Sequence, residues 1–279
     1  MHLTSLVARG YRNLVDLERE APSRGVAILG SNAQGKTNLL EAIYYPVLFR
    51  SFRGAPDQQV VGGTLGFHVE VRLEDSEAEL VATTYGGRKK RITVDGEEIN
   101  RAADAVGTWL GVAFLPSDLG LASGPAVMRR QYLDRLLSLA SRTYFSTLTR
   151  YRAALAQRNS ALRQGRADLA QAFDGPLSRF GAELVQSRLE WLKTASEQFA
   201  AEFDCLGERD AARLSYRGSS ELADHRAWAR ALDDALAEDR ARGMTTVGPH
   251  RDDLLLEIGG RRLRDYGSTG QQRSAAVAL

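Results

Sequence analysis

The sequence predicts an α/β protein in which a nucleotide-binding loop joins a strand to a helix, with a helical segment inserted later in the chain. Three observations support this prediction. Residues 30–37 fit the P-loop pattern G-x-x-x-x-G-K-[ST]. Apolar residues recur with a period of two before and after this loop, and the period lengthens to between three and four from about residue 126. At 279 residues, 43% of them hydrophobic, the chain can bury one large core or two modest ones.

Two strands are expected at the N-terminus, from Leu3 to Arg9 and from Leu14 to Glu20. In the second, Val15 and Leu17 alternate with acidic residues, which is typical of a half-buried strand. Residues 10–13 (Gly-Tyr-Arg-Asn) have the composition of the turn between them.

The P-loop itself comprises Gly30, Ser31, Asn32, Ala33, Gln34, Gly35, Lys36 and Thr37. An apolar run over residues 25–29 predicts a buried strand before it, and Leu39, Leu40, Ile43 and Val47 predict a helix after it. In such a junction the backbone N–H groups and the helix N-terminus face one concavity that suits phosphate. Lys36 would reach the β- and γ-phosphates, and Thr37 would hold Mg²⁺. The alternative is a chance match, which this strand and helix context disfavours.

An antiparallel meander is expected next, with strands over residues 67–73, 80–85 and 91–95. A Gly86-Gly87 turn joins the last two. The tip carries four basic residues, 88–91, which form either a solvated hairpin end or a contact to DNA phosphates.

Long helices follow from about residue 126. Leu148, Tyr151, Leu155 and Leu162 form one apolar stripe, and Val185, Leu189, Leu192, Phe199 and Phe203 form a second after a break at Asp174-Gly175-Pro176. The two stripes predict a short antiparallel helical arm, although a helical-bundle core would explain them almost equally well. A further helix is expected over residues 223–242, and strand character returns at 254–258.

The basic residues are distributed unevenly. Arginine accounts for 33 of the 37, and residues 126–166 hold nine of them against a single acid, Asp134, a balance of +8. Residues 168–204 have a balance of −4, from seven acids against three basic residues. The arginines therefore either pair with the neighbouring acidic helix or contact a phosphate backbone.

The composition excludes several classes of protein. Cys205 is the only cysteine, which rules out an internal disulfide. No stretch approaches 18 uninterrupted apolar residues, and the N-terminus lacks the apolar run of a signal peptide. We therefore expect a cytoplasmic protein.

Several short motifs occur in order along the chain and together resemble one family. They are Tyr11-Arg12-Asn13, Arg50-Ser51-Phe52-Arg53, residues 114–119 (FLPSDL), residues 129–134 (RRQYLD), Gln157-Arg158-Asn159, residues 248–254 (GPHRDDL) and residues 266–272 (YGSTGQQ). This series resembles the RecF family of bacterial DNA replication and repair proteins, and the last motif is similar to the signature loop of ABC-type ATPases. Any one motif alone would be weak, but the set occurs in order and the resemblance covers residues 3–279.

The resemblance implies an ABC-type ATPase head that binds ATP and Mg²⁺ and dimerises on DNA, at single-strand/double-strand junctions or gaps. The ATP-binding lobe would comprise residues 1–117 and 246–279, and the helical lobe residues 118–245. In each dimer, Ser268, Thr269, Gly270 and Gln271 of one subunit would cap the nucleotide of the other. Arg12 and Asn13 would approach the nucleotide in cis, their alternative role being turn chemistry. Relatives hydrolyse ATP slowly and help load recombinase with RecO- and RecR-type partners.

One departure from the family pattern concerns catalysis. The Walker B acids lie after the signature helix in this family, and the chain stops at Leu279, inside that helix. We therefore expect ATP binding with little hydrolysis and assign no catalytic residue; His250, alone in a Gly-Pro turn, is expected to be structural. The competing interpretations are another ABC-type head, SMC-like or of the overcoming-lysogenisation type, and a small-molecule P-loop kinase, for which residues 268–272 would have no use.

Overall fold

The computed structural model describes residues 1–63, 65–75 and 77–279. The chain divides into two compact units, residues 1–113 and residues 114–279. The first unit contains β1 (His2–Tyr11), β2 (Leu14–Glu20), α1 (Lys36–Leu48), α2 (Asp57–Val60), β3 (Phe67–Glu74), β4 (Leu80–Tyr85), β5 (Lys90–Val94), β6 (Glu97–Ile99) and α3 (Ala102–Ala105).

The second unit is mostly helical and carries a small sheet. It contains a 3₁₀ turn (Pro116–Leu119), α4 (Gly120–Ser123), α5 (Ala126–Ala140), α6 (Arg142–Arg163), α7 (Ala167–Gln171), α8 (Asp174–Cys205), β7 (Ala212–Arg217), a second 3₁₀ turn (Ser220–Ala223), α9 (His225–Arg242), β8 (Asp253–Ile258), β9 (Arg261–Arg262), α10 (Leu263–Tyr266) and α11 (Thr269–Ala278). In the described part of the chain, no helix is long and apolar enough to span a bilayer.

The sheet of the first unit has six strands in the order β2-β1-β3-β4-β5-β6, with each neighbouring pair antiparallel. Leu6 pairs with Val71, and Val71 with Val81, which gives a row of buried apolar side chains across three strands. Helix α1 packs on β1, β3 and β4. This sheet confirms the predicted meander. Period-two alternation predicts such strands because the two faces of a strand meet different surroundings.

The strand predicted over residues 25–29 is wrong. These residues have no strand conformation, and the side chains of Val26 and Leu29 are 62% and 91% exposed. An apolar run forms a strand only when another strand supplies its hydrogen-bonding partners. The segment has no such partner among the described residues, so it reaches the P-loop as extended, irregular chain.

The apolar stripe predicted for α1 is also displaced. Its buried side chains are Glu41, Ala42, Tyr44, Tyr45, Pro46 and Val47, whereas Leu40 is 46% exposed. Tyr45 lies edge-on to Tyr11 and Phe67, which form an aromatic cluster between the helix and the sheet. The aromatic pairs, rather than the leucines, therefore select the face that α1 buries.

Helices α6 and α8 run antiparallel, as the sequence predicts. Thr147 bonds to Glu183 near one end of the pair, and Arg158 bonds to Asp174 near the other. Their apolar stripes also pack against α9, whose Trp228 is fully buried and donates to the carbonyl oxygen of Leu222. Asp174-Gly175-Pro176 forms the first turn of α8. Proline is tolerated there because the N–H groups of a first turn have no acceptors within the helix.

The small sheet of the second unit has the order β7-β8-β9 and packs against the C-terminal half of α8. Strand β8 agrees with the prediction at residues 254–258, whereas β7 was not anticipated. Residues 246–279 pack within this unit. The assignment of residues 246–279 to an ATP-binding lobe with residues 1–117 stays a prediction. The assignment of residues 118–245 to a helical lobe also stays a prediction.

Candidate nucleotide site and the buried motif cluster

The P-loop wraps around its own lysine. Lys36 Nζ donates to the carbonyl oxygens of Gly30 and Ser31, at 2.6 and 2.8 Å. Gly30, Ala33 and Gly35 all have positive φ, at 154°, 65° and 92°, which turns successive backbone groups toward one side. The loop thus presents a cation at its centre and a backbone shaped to surround an anion.

The N-terminus of α1 has no side-chain cap, because its N-cap residue is Gly35. The first N–H groups of the helix consequently lack the intrahelical acceptors that later turns have. The hydroxyl of Thr37 stands on an exposed residue in this first turn. Uncapped N–H groups, the helix dipole and Lys36 together suit the phosphates of a nucleotide, and the Thr37 hydroxyl suits a magnesium ligand.

Asn13 lies beside the P-loop, and Arg12 contacts the helix that follows it. The Asn13 amide is so close to Gly35 that a Cβ built on this glycine would lie 2.5 Å from it. Asn38 Nδ2 donates to Asn13 Oδ1 at 2.8 Å. Arg12 has left-handed backbone (φ 53°) and donates to both carboxylate oxygens of Glu41, each at 3.0 Å. Sequence reasoning missed Glu41, since an acid within an apolar helix resembles a solvent-facing position.

The signature loop lies in the second unit, at the start of α11. Ser268 caps this helix: its Oγ accepts from Gln271 N at 3.1 Å, and Gln271 Oε1 accepts from Ser268 N at 2.9 Å. Ser268, Thr269 and Gly270 are exposed, and Gln271 Nε2 also donates to Asp210 at 2.9 Å. Small exposed residues at a helix N-terminus leave room for an anion.

Two of the other family motifs, residues 129–134 and 248–254, meet inside the second unit and contact each other. We call the side chains of Arg129, Asp134, Arg188, Tyr216, His250, Asp252 and Asp253 the motif cluster. Arg129 forms a bidentate ion pair with Asp253, at 2.8 and 2.9 Å. Arg188, which is almost fully buried, donates to Asp134 (2.7 Å), the Pro249 carbonyl (2.7 Å) and two tyrosine hydroxyls. These motifs therefore join α5, α8 and the start of β8 through buried polar contacts.

His250 is a structural member of this cluster, as expected. Its Nε2 lies 3.0 Å from the Thr245 carbonyl and therefore carries the proton, so Nδ1 accepts from Tyr151 Oη at 2.7 Å. Burial lowers the pKa of His250 to about 4. Burial acts on Asp252 in the opposite direction and raises the pKa of its carboxyl group, which accepts from Tyr216 Oη. The imidazole is neutral near pH 7 and both its nitrogens are occupied.

The Gln157-Arg158-Asn159 motif serves a similar purpose. Arg158 is fully buried and pairs with Asp174 and Asp239, at 2.7 and 2.5 Å. Asn159 Oδ1 accepts from the backbone N and the hydroxyl of Thr245, both at 2.7 Å. The motif thus holds the segment after α9 against α6.

Seven of the nine arginines of residues 126–166 fall into two groups. Arg129, Arg152 and Arg158 pair with acids, and only one of these acids, Asp174, belongs to the neighbouring acidic stretch. Arg142, Arg150, Arg163 and Arg166 are exposed, and no ion pair to them is found among the described residues. At the hairpin tip, Lys90 pairs with Asp57, and both Lys89 and Arg91 pair with Glu98. Much of the apparent positive charge is therefore neutralised within the protein.

Comparisons with known proteins support the family resemblance found in the sequence. The chain is 35% identical over 293 residues to the DNA replication and repair protein RecF of Heliobacterium modesticaldum, covering 100% of this chain and 79% of the relative. It is 32% identical over 290 residues to RecF of Geobacter sulfurreducens, with the same coverage of both chains. No protein-family model matches the chain.

Solved structures give the same result. The chain superposes on the recombination mediator protein RecF-ATPrS in the RecFOR pathway with a TM-score of 0.91 and 29% identity, over 99% of this chain and 79% of that one. An Smc head bound to the C-terminal winged-helix domain of ScpA matches with a TM-score of 0.52 at 13% identity, which shows a shared ATPase-head fold. The chain therefore belongs to the RecF family of DNA replication and repair proteins.

Proposed function

We propose that this chain binds ATP with Mg²⁺ at the P-loop and acts as an ATP-dependent DNA-binding protein of recombinational repair. The observation that carries the proposal is the uncapped N-terminus of α1, with Lys36 held at the centre of the loop. These groups fit a polyphosphate: backbone N–H groups and Lys36 would hold phosphate oxygens, and Thr37 would hold the metal. The bound metal would neutralise charge shared between the β- and γ-phosphates. A neighbouring solved structure is described as RecF-ATP, which supports the same ligand.

Equilibrium binding of a fluorescent ATP analogue tests this site. Lys36→Ala removes the lysine of the loop, so the affinity of this variant for the ATP analogue should fall at least tenfold, about 1.4 kcal/mol. Lys193→Ala is the matched control, because Lys193 is 69% exposed and pairs with Glu190 on the same helix. Equal affinities for wild type and Lys36→Ala would refute the proposal.

We propose further that ATP closes a homodimer through the signature loop. The exposed Ser268 to Gly270 segment at the N-terminus of α11 supports this role. Replacement Ser268→Asp keeps a side chain able to cap the helix but brings a negative charge to the γ-phosphate. Light scattering with ATP should therefore show a dimer for wild type and a monomer for Ser268→Asp. A dimer of equal stability in both proteins would contradict the proposed contact.

DNA would bind through phosphate contacts from the exposed arginines of α6 and the turn after it. Arg142, Arg150, Arg163 and Arg166 support this assignment because they have no acidic partner in the described part of the chain. Arg129 and Arg158 are excluded because they are buried in ion pairs. Neutralising phosphates releases counterions, so affinity and salt dependence fall together when a contact is lost.

The double variant Arg163→Gln/Arg166→Gln tests this surface. Binding to duplex and gapped DNA should weaken alike, since phosphate contacts read no sequence, and the slope of log K against log salt should shrink by about two units. Arg179→Gln/Arg230→Gln is the control: it makes the same charge change at exposed arginines that pair within their own helices. If both double variants lose affinity equally, net charge rather than this surface is responsible.

The pathway follows from the relatives. One solved neighbour is described as a recombination mediator in the RecFOR pathway. We infer that this chain works with RecO- and RecR-type partners and helps to load recombinase at gaps. Co-sedimentation of the chain with the RecR-type protein on gapped DNA should require ATP and should be lost in Lys36→Ala. Recruitment independent of ATP would exclude the nucleotide as the switch.

A further inference from the structure

Glu41 is a fully buried carboxylate in the helix that follows the P-loop. A buried ionised carboxylate is costly unless cations and hydrogen bonds compensate it. Here the compensation comes from Arg12 through two hydrogen bonds of 3.0 Å, from the hydroxyl of Ser51, and from Arg53 at 3.6 Å. Glu41 therefore joins the turn after β1, helix α1 and the loop at residues 51–53, which are remote in sequence.

The first consequence concerns Arg12. Its left-handed backbone conformation is unfavourable for a residue with a side chain and persists only where surrounding contacts hold it. Glu41 takes two of its N–H donors, and the carbonyl oxygen of Gln59 takes a third at 2.9 Å. A guanidinium has five such donors. Two remain without a partner in the described part of the chain, on a side chain that is 20% exposed.

The second consequence concerns Asn13. Arg53, oriented by Glu41, donates to Asn38 Oδ1 at 2.9 Å, and Asn38 Nδ2 donates to Asn13 Oδ1 at 2.8 Å. The Asn13 amide group in turn lies against Gly35, in space that any side chain at this glycine would fill. The Asn13 amide is thereby held against the P-loop, with its Oδ1 accepting from Asn38 and its Nδ2 lying as close to Gly35 as the oxygen does.

We propose that Glu41 is a positioning residue for the nucleotide site. It holds Arg12 directly and Asn13 through Arg53 and Asn38, so that the donors of both residues are oriented before a ligand arrives. A site that presents hydrogen-bond donors and no acceptors favours ligands rich in acceptors, such as the phosphate oxygens of a nucleoside triphosphate. Glu41 itself does not touch the ligand. The inference rests on the proposed ATP site and names a residue outside the P-loop that the site requires.

Affinities for a fluorescent ATP analogue test the proposal through a double-mutant cycle. Glu41→Gln keeps the size of the side chain but removes the charge that orients Arg12. If Glu41 acts through Arg12, Glu41→Gln and Arg12→Ala each lower affinity about tenfold, and the double variant is also about tenfold weaker rather than a hundredfold. A product close to a hundredfold would mean that the two residues act independently, which overturns the proposal.

Two controls separate positioning from general loss of stability and from failure of the ATP site. Asp95→Ala removes the acceptor of the Glu79 and Leu80 N–H groups in the same unit. It should lower the urea midpoint without changing ATP affinity. Lys36→Ala reports the site itself: unchanged binding there refutes the proposed function, whereas a loss there with wild-type binding in Glu41→Gln refutes only the positioning role.

A second variant covers the case in which Glu41→Gln does not fold. Asn38→Ala breaks the chain of hydrogen bonds to Asn13 and leaves the buried carboxylate in place. Affinity should fall about threefold, and combination with Asn13→Ala should add nothing further. Wild-type affinity in Asn38→Ala would overturn the Asn13 branch of the proposal.

Discussion

The P-loop and the motif cluster are both dense in family motifs, yet they differ in how their polar groups are satisfied. In the P-loop, the hydrogen bonds of Lys36 within the described residues go to carbonyl oxygens of its own loop, and the helix N-terminus is uncapped. In the motif cluster, Arg188 is buried with its guanidinium bonded to a carboxylate, a carbonyl and two hydroxyls. Unsatisfied exposed donors indicate a ligand, and satisfied buried donors indicate a structural role.

The largest expected effect is on the stability of the second unit. Arg188→Leu removes four hydrogen bonds and leaves Asp134 buried with a weakened charge balance, so the free energy of unfolding should fall by about 3–5 kcal/mol. Urea denaturation measures it. Arg179→Leu on the same helix is the control, since its side chain is 73% exposed and should cost less than about 1 kcal/mol. Similar losses in both would contradict the distinction drawn here.

The second effect is a pH dependence that arises from His250. The unfolded chain binds a proton at this residue below about pH 6.5, whereas the folded protein remains neutral until its lowered pKa of about 4. Stability from this residue is therefore complete above pH 6.5 and is lost as pH falls toward 4, by about 3 kcal/mol at most. Urea midpoints across this range should depend less steeply on pH for His250→Gln than for the wild type. An equally steep dependence in both proteins would contradict this assignment.

A smaller effect distinguishes two neighbours within one motif. Asn159→Ala removes the acceptor for the backbone N and hydroxyl of Thr245, which should destabilise the protein by about 1–2 kcal/mol. Gln157→Ala changes an exposed residue two positions earlier and should stay within about 0.5 kcal/mol. Thermal unfolding of the two variants is sufficient to compare them. Equal midpoints would mean that the motif is not held through Asn159.

The smallest expected effect on stability is at the P-loop. Lys36→Ala should change the free energy of unfolding by less than about 0.5 kcal/mol, because Lys36 is partly exposed and forms no carboxylate pair in the described residues. Its effect should instead appear in nucleotide binding. Destabilisation as large as that of Arg188→Leu would place the P-loop with the structural motifs and against our assignment.

The sequence predicts well those elements whose pattern depends on local surroundings. Strand β3 alternates between a buried and a more exposed face, and both β3 and β4 appear within one residue of the expected bounds. The prediction of a strand before the P-loop is wrong because an apolar run becomes a strand only beside a hydrogen-bonding partner strand. A local sequence pattern does not indicate whether such a partner is present. Strand β7 was missed although Leu214 and Tyr216 alternate with polar residues, a short signal beside two long helical patterns.

Buried charges were the residues that sequence reasoning could not find. Arg188 lies three residues after Val185 and four before Leu192, on the same stripe of α8, which is the available signal that it faces inward. Glu41 gives no comparable signal, because the stripe assigned to α1 was displaced toward Leu40. Only the three-dimensional positions of Asp134 and Arg12 reveal that these charges are compensated.

The hydrogen bonds between Lys36 and the loop carbonyls make ligand binding an exchange rather than a simple addition. Lys36 has three N–H donors, and the carbonyl oxygens of Gly30 and Ser31 take two of them. A ligand that takes more than the third has to provide stronger acceptors than these carbonyls. Ionised phosphate oxygens satisfy this condition through charge-assisted bonds, whereas the hydroxyls of a nucleoside do not. The free loop therefore discriminates by phosphate charge before any contact to base or sugar is made, and adenosine alone should not compete with ATP.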